Sequence, residues 1–247
     1  FLINQISCCS DDVFATQLLG LASGQFLSPL IFSCMELVGD GVKGVVTPGV
    51  KATAPQLEAE ELLPVGQHTL FRALAARANY LAADRPDIIY AAKKICRFMS
   101  KPTDMAQAAL KRLGRYLKKY SRLVYTFPKQ VANQLEAYSD TDWAGCVRTK
   151  KTTSGGCVLF GSHTVKACSA TQASVALSSG EAEYYGLVKA ATAALGQQAI
   201  LQDFGLNLPV RVWSDSSAAL GISKRSGLGK IRHLDTQTLW LQEKVRT

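Results

Sequence analysis

The sequence predicts an α/β protein in which a mixed sheet flanked by helices follows a small helical module. Three observations support this fold class. Apolar residues recur at helical spacing up to about residue 122, strand-like runs begin at residue 123, and a long helix, a strand and two more helices follow. Strands followed by alternating helix, strand and helix are typical of a mixed sheet covered by helices.

Four segments divide the chain. An apolar N-terminal segment of unknown role, residues 1–43, precedes a linker rich in proline and glycine, residues 44–67. A basic helical module is expected over residues 68–122, and the α/β domain over residues 123–247. In the module, apolar positions predict one helix lined by Leu70, Leu74, Ala78 and Leu81, a second lined by Ile89, Ala92, Ile95 and Met99, and a third over residues 104–120.

The α/β domain has five predicted strands and three predicted helices. Turn residues separate the first four strands, and the long helix follows them. The predicted strands are residues 123–127, 135–139, 156–160, 164–169 and 210–214, and the predicted helices are about residues 178–204, 216–224 and 234–245.

The net charge of +9 is concentrated in one window. Between Lys93 and Arg122 there are ten basic residues and one acidic residue, Asp104, so this window alone carries +9. Charge clustered in this way indicates a polyanion such as nucleic acid as partner, and a solvated helix face is the alternative. The phosphate-binding candidates on the third helix are Lys111, Arg112, Arg115, Lys118 and Lys119.

The cysteine and histidine contents limit which disulfide or metal sites the chain can form. Seven cysteines without a Cys-x-x-Cys spacing favour reduced thiols in an intracellular, reducing compartment over a disulfide framework or a zinc ribbon. The three histidines are scattered singly along the chain. Any metal ion is therefore expected to be held by oxygen ligands.

Residues 13–35 form an uncharged run of 23 residues. Its length meets the criterion for a membrane span, but two glutamines, several hydroxyl side chains and Pro29 interrupt it. No basic region precedes it, which argues against a signal peptide. A buried helical segment is the first interpretation, and contact with a membrane or a hydrophobic partner is the second.

Carboxylates follow two predicted strands and begin the long helix. Asp140 ends one strand, Asp215 ends another, and Glu181 and Glu183 lie in the first turns of the helix. If the two strands are neighbours, their carboxyl ends lie side by side, where open α/β sheets place their sites. Each residue also has a structural alternative: Asp215 as a helix N-cap, the glutamates as partners of the helix dipole, and Asp142 as a turn residue.

Clustered carboxylates repel one another unless a cation lies between them, and oxygen ligands suit Mg²⁺ or Mn²⁺. The reaction this chemistry predicts is phosphodiester hydrolysis. Two ions roughly 3.5–4 Å apart can activate a water and stabilise the leaving oxygen.

Five motifs in order resemble the ribonuclease H region of copia-type LTR retrotransposon Pol polyproteins: AYSDTDWAGC, TKKTTSGGCVLFG, SVALSSGEAEYYGLVKAA, VWSDSSAAL and GKIRHLDTQTLWLQEKV. RPDIIYAAKKICRFMSKPT and LKRLGRYLK resemble the segment that joins reverse transcriptase to ribonuclease H. VKGVVTPGVK is similar to the tail of the reverse transcriptase region. The resemblance covers about residues 37–247.

The resemblance implies a ribonuclease H-like fold and places the family's catalytic, metal-binding carboxylates on Asp140, Glu183 and Asp215. Glu181 would lie about 200° away around the helix. A fourth carboxylate begins a further helix in the family, and its nearest counterpart is Asp235, for which a charge at the start of the final helix is the alternative. The family's last strand and helix follow the GKIRHLDTQTLWLQEKV motif, so the domain is expected to be C-terminally truncated.

The implied activity is hydrolysis of RNA in RNA–DNA hybrids with two Mg²⁺ or Mn²⁺ ions. The partners would be the hybrid and the reverse transcriptase portion of the same polyprotein, in the cytoplasm, within a virus-like particle, or in the nucleus. The alternative is an inactive remnant that acts as a binding or structural subunit, associated with a membrane or a complex through residues 1–40.

Overall fold

The computed structural model describes residues 38–39, 41–50, 53, 56, 58–229, 234 and 236–246. The uncharged run at 13–35 and Asp235 lie outside these residues. The chain separates into two compact units, Phe1–Thr126 and Phe127–Thr247. We call them the helical unit and the sheet unit.

The helical unit is built around the apolar faces of three helices. On α1, Leu74, Ala78 and Leu81 are buried as predicted, but the prediction was wrong at Leu70, which is 54% exposed while Phe71 is buried. Phe71, Leu74 and Ala78 recur at three- and four-residue spacing, and this alignment turns Leu70 towards solvent. The elements are α1 (Val65–Leu81), a 3₁₀ turn (Pro86–Ile88), α2 (Ile89–Cys96) and α3 (Asp104–Lys119).

A buried ion pair ties the 3₁₀ turn to the end of α3. Arg85 is 4% exposed and donates from Nε and Nη2 to the two carboxylate oxygens of Asp87, at 2.9 and 2.8 Å. Its Nη2 also donates to the carbonyl of Tyr120 at 3.0 Å, and Tyr116 donates its hydroxyl proton to Asp87 at 2.8 Å. Burial alone would raise the pKa of Asp87, but the bonds from Arg85 and Tyr116 outweigh it and lower the pKa.

The sheet unit has four strands in the order β3-β2-β1-β4. β1 pairs antiparallel with β2 and parallel with β4, and β2 pairs antiparallel with β3. The elements are β1 (Leu135–Asp142), β2 (Thr153–Phe160), β3 (His163–Thr171), α4 (Ser179–Asp203), β4 (Val210–Trp213), α5 (Ser217–Lys224), a 3₁₀ turn (Thr236–Thr238) and α6 (Trp240–Arg246).

Helix α4 packs on one face of this sheet. Leu135 and Ala137 of β1 are fully buried, as are the small residues Ala182 and Ala194 of α4. Small side chains on a helix let its backbone approach the sheet closely. A second apolar cluster, which includes Leu187, Ile222 and Leu241, joins α4 to α5 and α6.

The predicted strand at residues 123–127 is wrong. These residues have no regular secondary structure, and Leu123 and Val124 are exposed. The run falls where one compact unit ends and the next begins. Pro128, which follows it, lacks a backbone N–H and restricts Phe127 to extended backbone without supplying a strand partner. The apolar and β-branched residues of the run therefore led to the prediction of a strand that does not form.

Candidate metal centre

Two aspartates reach the same sheet edge because of the parallel register of β1 and β4. Tyr138 of β1 lies opposite Trp213 of β4. Asp140 and Asp215 each follow that pair by two residues. Since side chains alternate across a strand with a period of two, Asp140 projects on the side of Tyr138. Asp215 follows the end of β4, and both aspartates line the same cleft as the paired rings.

Helix capping decides which glutamate of α4 joins them. Ser178 is the N-cap, and its hydroxyl accepts the N–H of Glu181 at 3.2 Å. The Glu181 carboxylate in turn accepts the N–H of Leu177 at 2.8 Å. The arrangement resembles a capping box, except that the N–H bonded by Glu181 belongs to the residue before the N-cap. Glu181 therefore stabilises the start of the helix, in line with the structural alternative given for it above. Glu183 lies over the sheet.

Asp140, Glu183 and Asp215 converge. One carboxylate oxygen from each lies within 4.8 Å of the others. Glu183 is buried, whereas the two aspartates are exposed. Asp215 precedes the N-cap of α5, which is Ser216, whose hydroxyl accepts the N–H of Ala219 at 3.2 Å. The alternative role of Asp215 as N-cap is wrong, because its neighbour performs it.

The Glu183 carboxylate has one satisfied and one unsatisfied oxygen. Thr141 donates its hydroxyl proton to Oε1 at 2.6 Å. Oε2 is buried, and no described residue donates a hydrogen bond to it. Burial raises the pKa of Glu183, the bond from Thr141 opposes the rise, and the nearby Asp140 and Asp215 carboxylates add to it.

The three carboxylates fit a divalent cation. Across the described ranges, no ion pair with a lysine or arginine is found for any of the three. Uncompensated negative charge and an unpaired buried oxygen are the features that a bound cation would satisfy. A set of carboxylate oxygens suits Mg²⁺ or Mn²⁺. The arrangement is therefore able to hold such an ion.

The other two acidic candidates do not join the cluster in the described structure. Asp142 ends β1, and its carbonyl accepts the N–H of Gly145 at 3.1 Å in a tight turn. A Cβ at Gly145 would overlap the Asp142 carboxylate, so the two lie in direct contact. Asp142 is thus a turn residue. Asp235 lies outside the described residues, and its role as fourth ligand stays a prediction.

An open cleft of about 670 Å³ borders Asp140 and Asp215. Gly155 lies opposite Asp140 in the register, and it and Gly156 line the cleft without side chains to fill it. Tyr138 and Trp213 form one wall, with their rings 6.3 Å apart and nearly parallel. Sequence reasoning missed these two aromatic residues, although their position two residues before each aspartate would have placed them beside the site.

The basic residues proposed to bind phosphate lie on α3 of the helical unit, and three of them contact residues 39–47. Arg112 donates to the Thr47 hydroxyl at 2.7 Å, Arg115 to the Lys43 carbonyl at 2.9 Å, and Lys118 to the Gly39 carbonyl at 3.3 Å. Lys111 and Lys119 are exposed. Part of the positive charge therefore fixes a neighbouring chain segment.

Two further expectations concern the state of the cysteines and a possible membrane span. Among the described residues, Cys96, Cys157 and Cys168 are free thiols. Within the described ranges, no helix is both long and apolar enough to cross a membrane, and the run at 13–35 lies outside them.

Sheet order, the long helix on one face and the carboxylates at the strand ends define a ribonuclease H-like α/β protein. Relatives identify the family. The chain is 33% identical over 179 residues, 72% of its length, to the Retrovirus-related Pol polyproteins from transposons RE2 and RE1 of Arabidopsis thaliana. It is 29% identical over 167 residues, 67% of its length, to the Retrovirus-related Pol polyprotein from transposon TNT 1-94 of Nicotiana tabacum.

The homologues of this chain are thus copia-type retrovirus-related Pol polyproteins, which confirms the resemblance expected from its motifs. The chain spans 12% of the length of each of these three curated relatives. No protein-family model and no solved structure matches it.

Proposed function

We propose that this chain is the ribonuclease H region of a transposon Pol polyprotein and that it hydrolyses the RNA strand of an RNA–DNA hybrid. The observation that carries the proposal is the convergence of Asp140, Glu183 and Asp215, with a buried oxygen of Glu183 left unpaired among the described residues. Three converging carboxylates with no cationic side chain paired to them among the described residues are poorly explained by a structural role, because they repel one another.

Asp140, Glu183 and Asp215 would hold the divalent cations. Bound Mg²⁺ or Mn²⁺ ions would activate a water and neutralise the charge that develops on the phosphodiester. The chain's own contribution is to hold the ligands in place. The sheet register determines the positions of the two aspartates, and the capped start of α4 determines the position of Glu183.

The cleft beside the carboxylates supports a nucleic-acid substrate. Its floor is open at Gly155 and Gly156, so a sugar–phosphate backbone can approach Asp140 without meeting side chains there. The 2′-hydroxyl is the group by which a protein distinguishes RNA from DNA. Lys111, Arg112, Arg115, Lys118 and Lys119 of the helical unit would contribute phosphate contacts.

The other portions of the same polyprotein, reverse transcriptase among them, are the proposed protein partners, since the relatives are Pol polyproteins. An intracellular, reducing location follows as part of the same proposal.

Cleavage of a labelled RNA–DNA hybrid by the 247-residue chain tests the proposal. We expect Mg²⁺-dependent cleavage that falls by about 100-fold or more in Asp140→Asn, equivalent to about 2.7 kcal/mol of transition-state stabilisation. Asp142→Asn is the matched control, because the same substitution two residues away removes a turn carboxylate and should keep most of the activity. A folded wild-type chain that binds the hybrid without cutting it, in Mg²⁺ and in Mn²⁺, would refute the proposal.

A further inference from the structure

Thr141 lies between the sheet and helix α4 and contacts both through different atoms. It follows Asp140 on β1 and therefore projects to the opposite face, towards α4. Its hydroxyl donates to Glu183 Oε1 at 2.6 Å. Its methyl group, Cγ2, faces Gly186, which lies one helical turn after Glu183.

Gly186 allows the helix to come this close. A Cβ at position 186 would lie 2.5 Å from Thr141 Cγ2, closer than side-chain carbons approach one another. The two contacts fix both the height of α4 above β1 and the rotation of the Glu183 carboxyl group. With Oε1 held by Thr141, the unpaired Oε2 is the oxygen left for the cluster.

We propose that Thr141 is a positioning residue that orients Glu183 for a divalent cation, and that Gly186 sets the helix height this requires. The inference rests on the proposed function, because it assumes that Glu183 binds the ion. Thr141 would act through Glu183, because its hydroxyl donates to the Glu183 carboxylate. Partners that hydrogen-bond to a metal ligand typically change metal affinity by about 10–100-fold when they are removed.

Calorimetric titration of the 247-residue chain with Mn²⁺ alone tests the role of the hydroxyl. Thr141→Val keeps the branched shape and removes the hydroxyl, and we expect its Mn²⁺ affinity to fall by about 10–100-fold. Thr192→Val is the matched control, because the Thr192 hydroxyl is exposed and donates to the Val188 carbonyl within α4. Its affinity should equal that of the wild type.

Thr141→Ser separates positioning from packing. It retains the hydroxyl and loses the methyl group, so stability should fall slightly while Mn²⁺ affinity stays near the wild-type value. If Thr141 were needed only for packing, the Ser variant, which lacks the methyl group, would bind Mn²⁺ poorly, and the Val variant, which keeps the branched shape, would bind it normally. Loss of affinity in the Ser variant with unchanged affinity in the Val variant would therefore overturn the positioning role.

Gly186→Ala tests the helix height. The added methyl group must displace Thr141 or lift α4, and we expect weaker Mn²⁺ binding. The double variant Gly186→Ala with Thr141→Ser should recover affinity, because the Thr methyl that blocks the new Cβ is gone. Failure of the double variant to recover while it remains folded by circular dichroism would overturn the role of Gly186.

The outcomes also separate this inference from the proposed function. A wild-type chain that takes up no Mn²⁺ overturns both. A wild-type chain that binds Mn²⁺, together with a folded Thr141→Val variant of unchanged affinity, overturns the role of Thr141 alone and leaves the acidic cluster as a metal site.

Discussion

Each unit of the molecule buries an ionisable side chain, and these two side chains have opposite electrostatic surroundings. Arg85 in the helical unit is 4% exposed and has a carboxylate partner, Asp87, as well as a backbone carbonyl. Glu183 in the sheet unit is 8% exposed, and its charged neighbours are two more carboxylates. One environment favours the charged form, and the other disfavours it.

The difference separates a structural charge from a functional one. A buried charge with complete hydrogen bonding is compatible with a stable fold, because its desolvation is offset by its partners. A buried carboxylate beside like charges destabilises the fold, and such arrangements concentrate at functional sites. The contrast is testable, since removing the charge should have opposite effects on stability in the two units.

The largest expected effect on stability is at Arg85. Arg85→Ala removes the positive charge and two hydrogen bonds from the Asp87 carboxylate, which keeps only the bond from Tyr116, and removes a donor from the Tyr120 carbonyl. We expect it to lower the free energy of unfolding by about 3–5 kcal/mol. Urea unfolding followed by circular dichroism measures the loss. Lys111→Ala, at an exposed position of the same unit, should stay within about 0.5 kcal/mol of wild type. Equal effects of the two substitutions would contradict the structural role of the pair.

Glu183→Gln should change stability in the opposite direction. Without divalent ions at pH 7, we expect the substitution to stabilise the chain by about 0.5–2 kcal/mol, the range common for stabilising substitutions at strained sites. Thermal unfolding in a chelating buffer measures this gain. Added Mg²⁺ should raise the melting temperature of the wild type more than that of the variant.

The pH dependence of that gain follows from the raised pKa of Glu183. A carboxyl group with a higher pKa in the folded state destabilises the fold fully above that pKa and not at all below its unfolded pKa, near 4.3. The advantage of Glu183→Gln should therefore disappear as the pH falls through this window. An advantage that is constant down to pH 4 would show that charge is not its cause.

The smallest expected effect is at Arg211, an exposed charge in the sheet unit. Its guanidinium lies 4.4 Å from the centroid of the Trp213 ring. Cation–π contacts at exposed sites contribute about 0.5–1 kcal/mol, so Arg211→Ala should lower stability by no more than that. Urea unfolding followed by Trp fluorescence measures the change. A loss near that of Arg85→Ala would contradict the ranking of buried over exposed charges.

Much of the fold could be predicted from periodicity, and the failures have physical causes. The four strands that form were predicted because their runs alternate and are bounded by turn residues. Residues 123–127 have the same composition, but a strand needs a neighbour to pair with, and composition does not report one. On α1, Leu70 and Phe71 are both apolar, and packing against the other helices decided between them.

The carboxylates of the candidate site could be named from the sequence, but their convergence could not be observed in it. The motifs pointed to Asp140, Glu183 and Asp215, and the family resemblance favoured Glu183 over Glu181. Thr141 was not predictable, since a threonine after an aspartate carries no signal of its own. Its role depends on the distance between β1 and α4.

The sequence by itself determined the family, the order of the elements and the supply of carboxylates, because these depend on residue types and their spacing along the chain. The tertiary structure alone decided which carboxylates meet, which oxygen of Glu183 stays unpaired and which basic side chains are engaged by residues 39–47. Those properties depend on distances between segments remote in sequence. Such distances are set by the sheet register and by the close packing of α4 on β1.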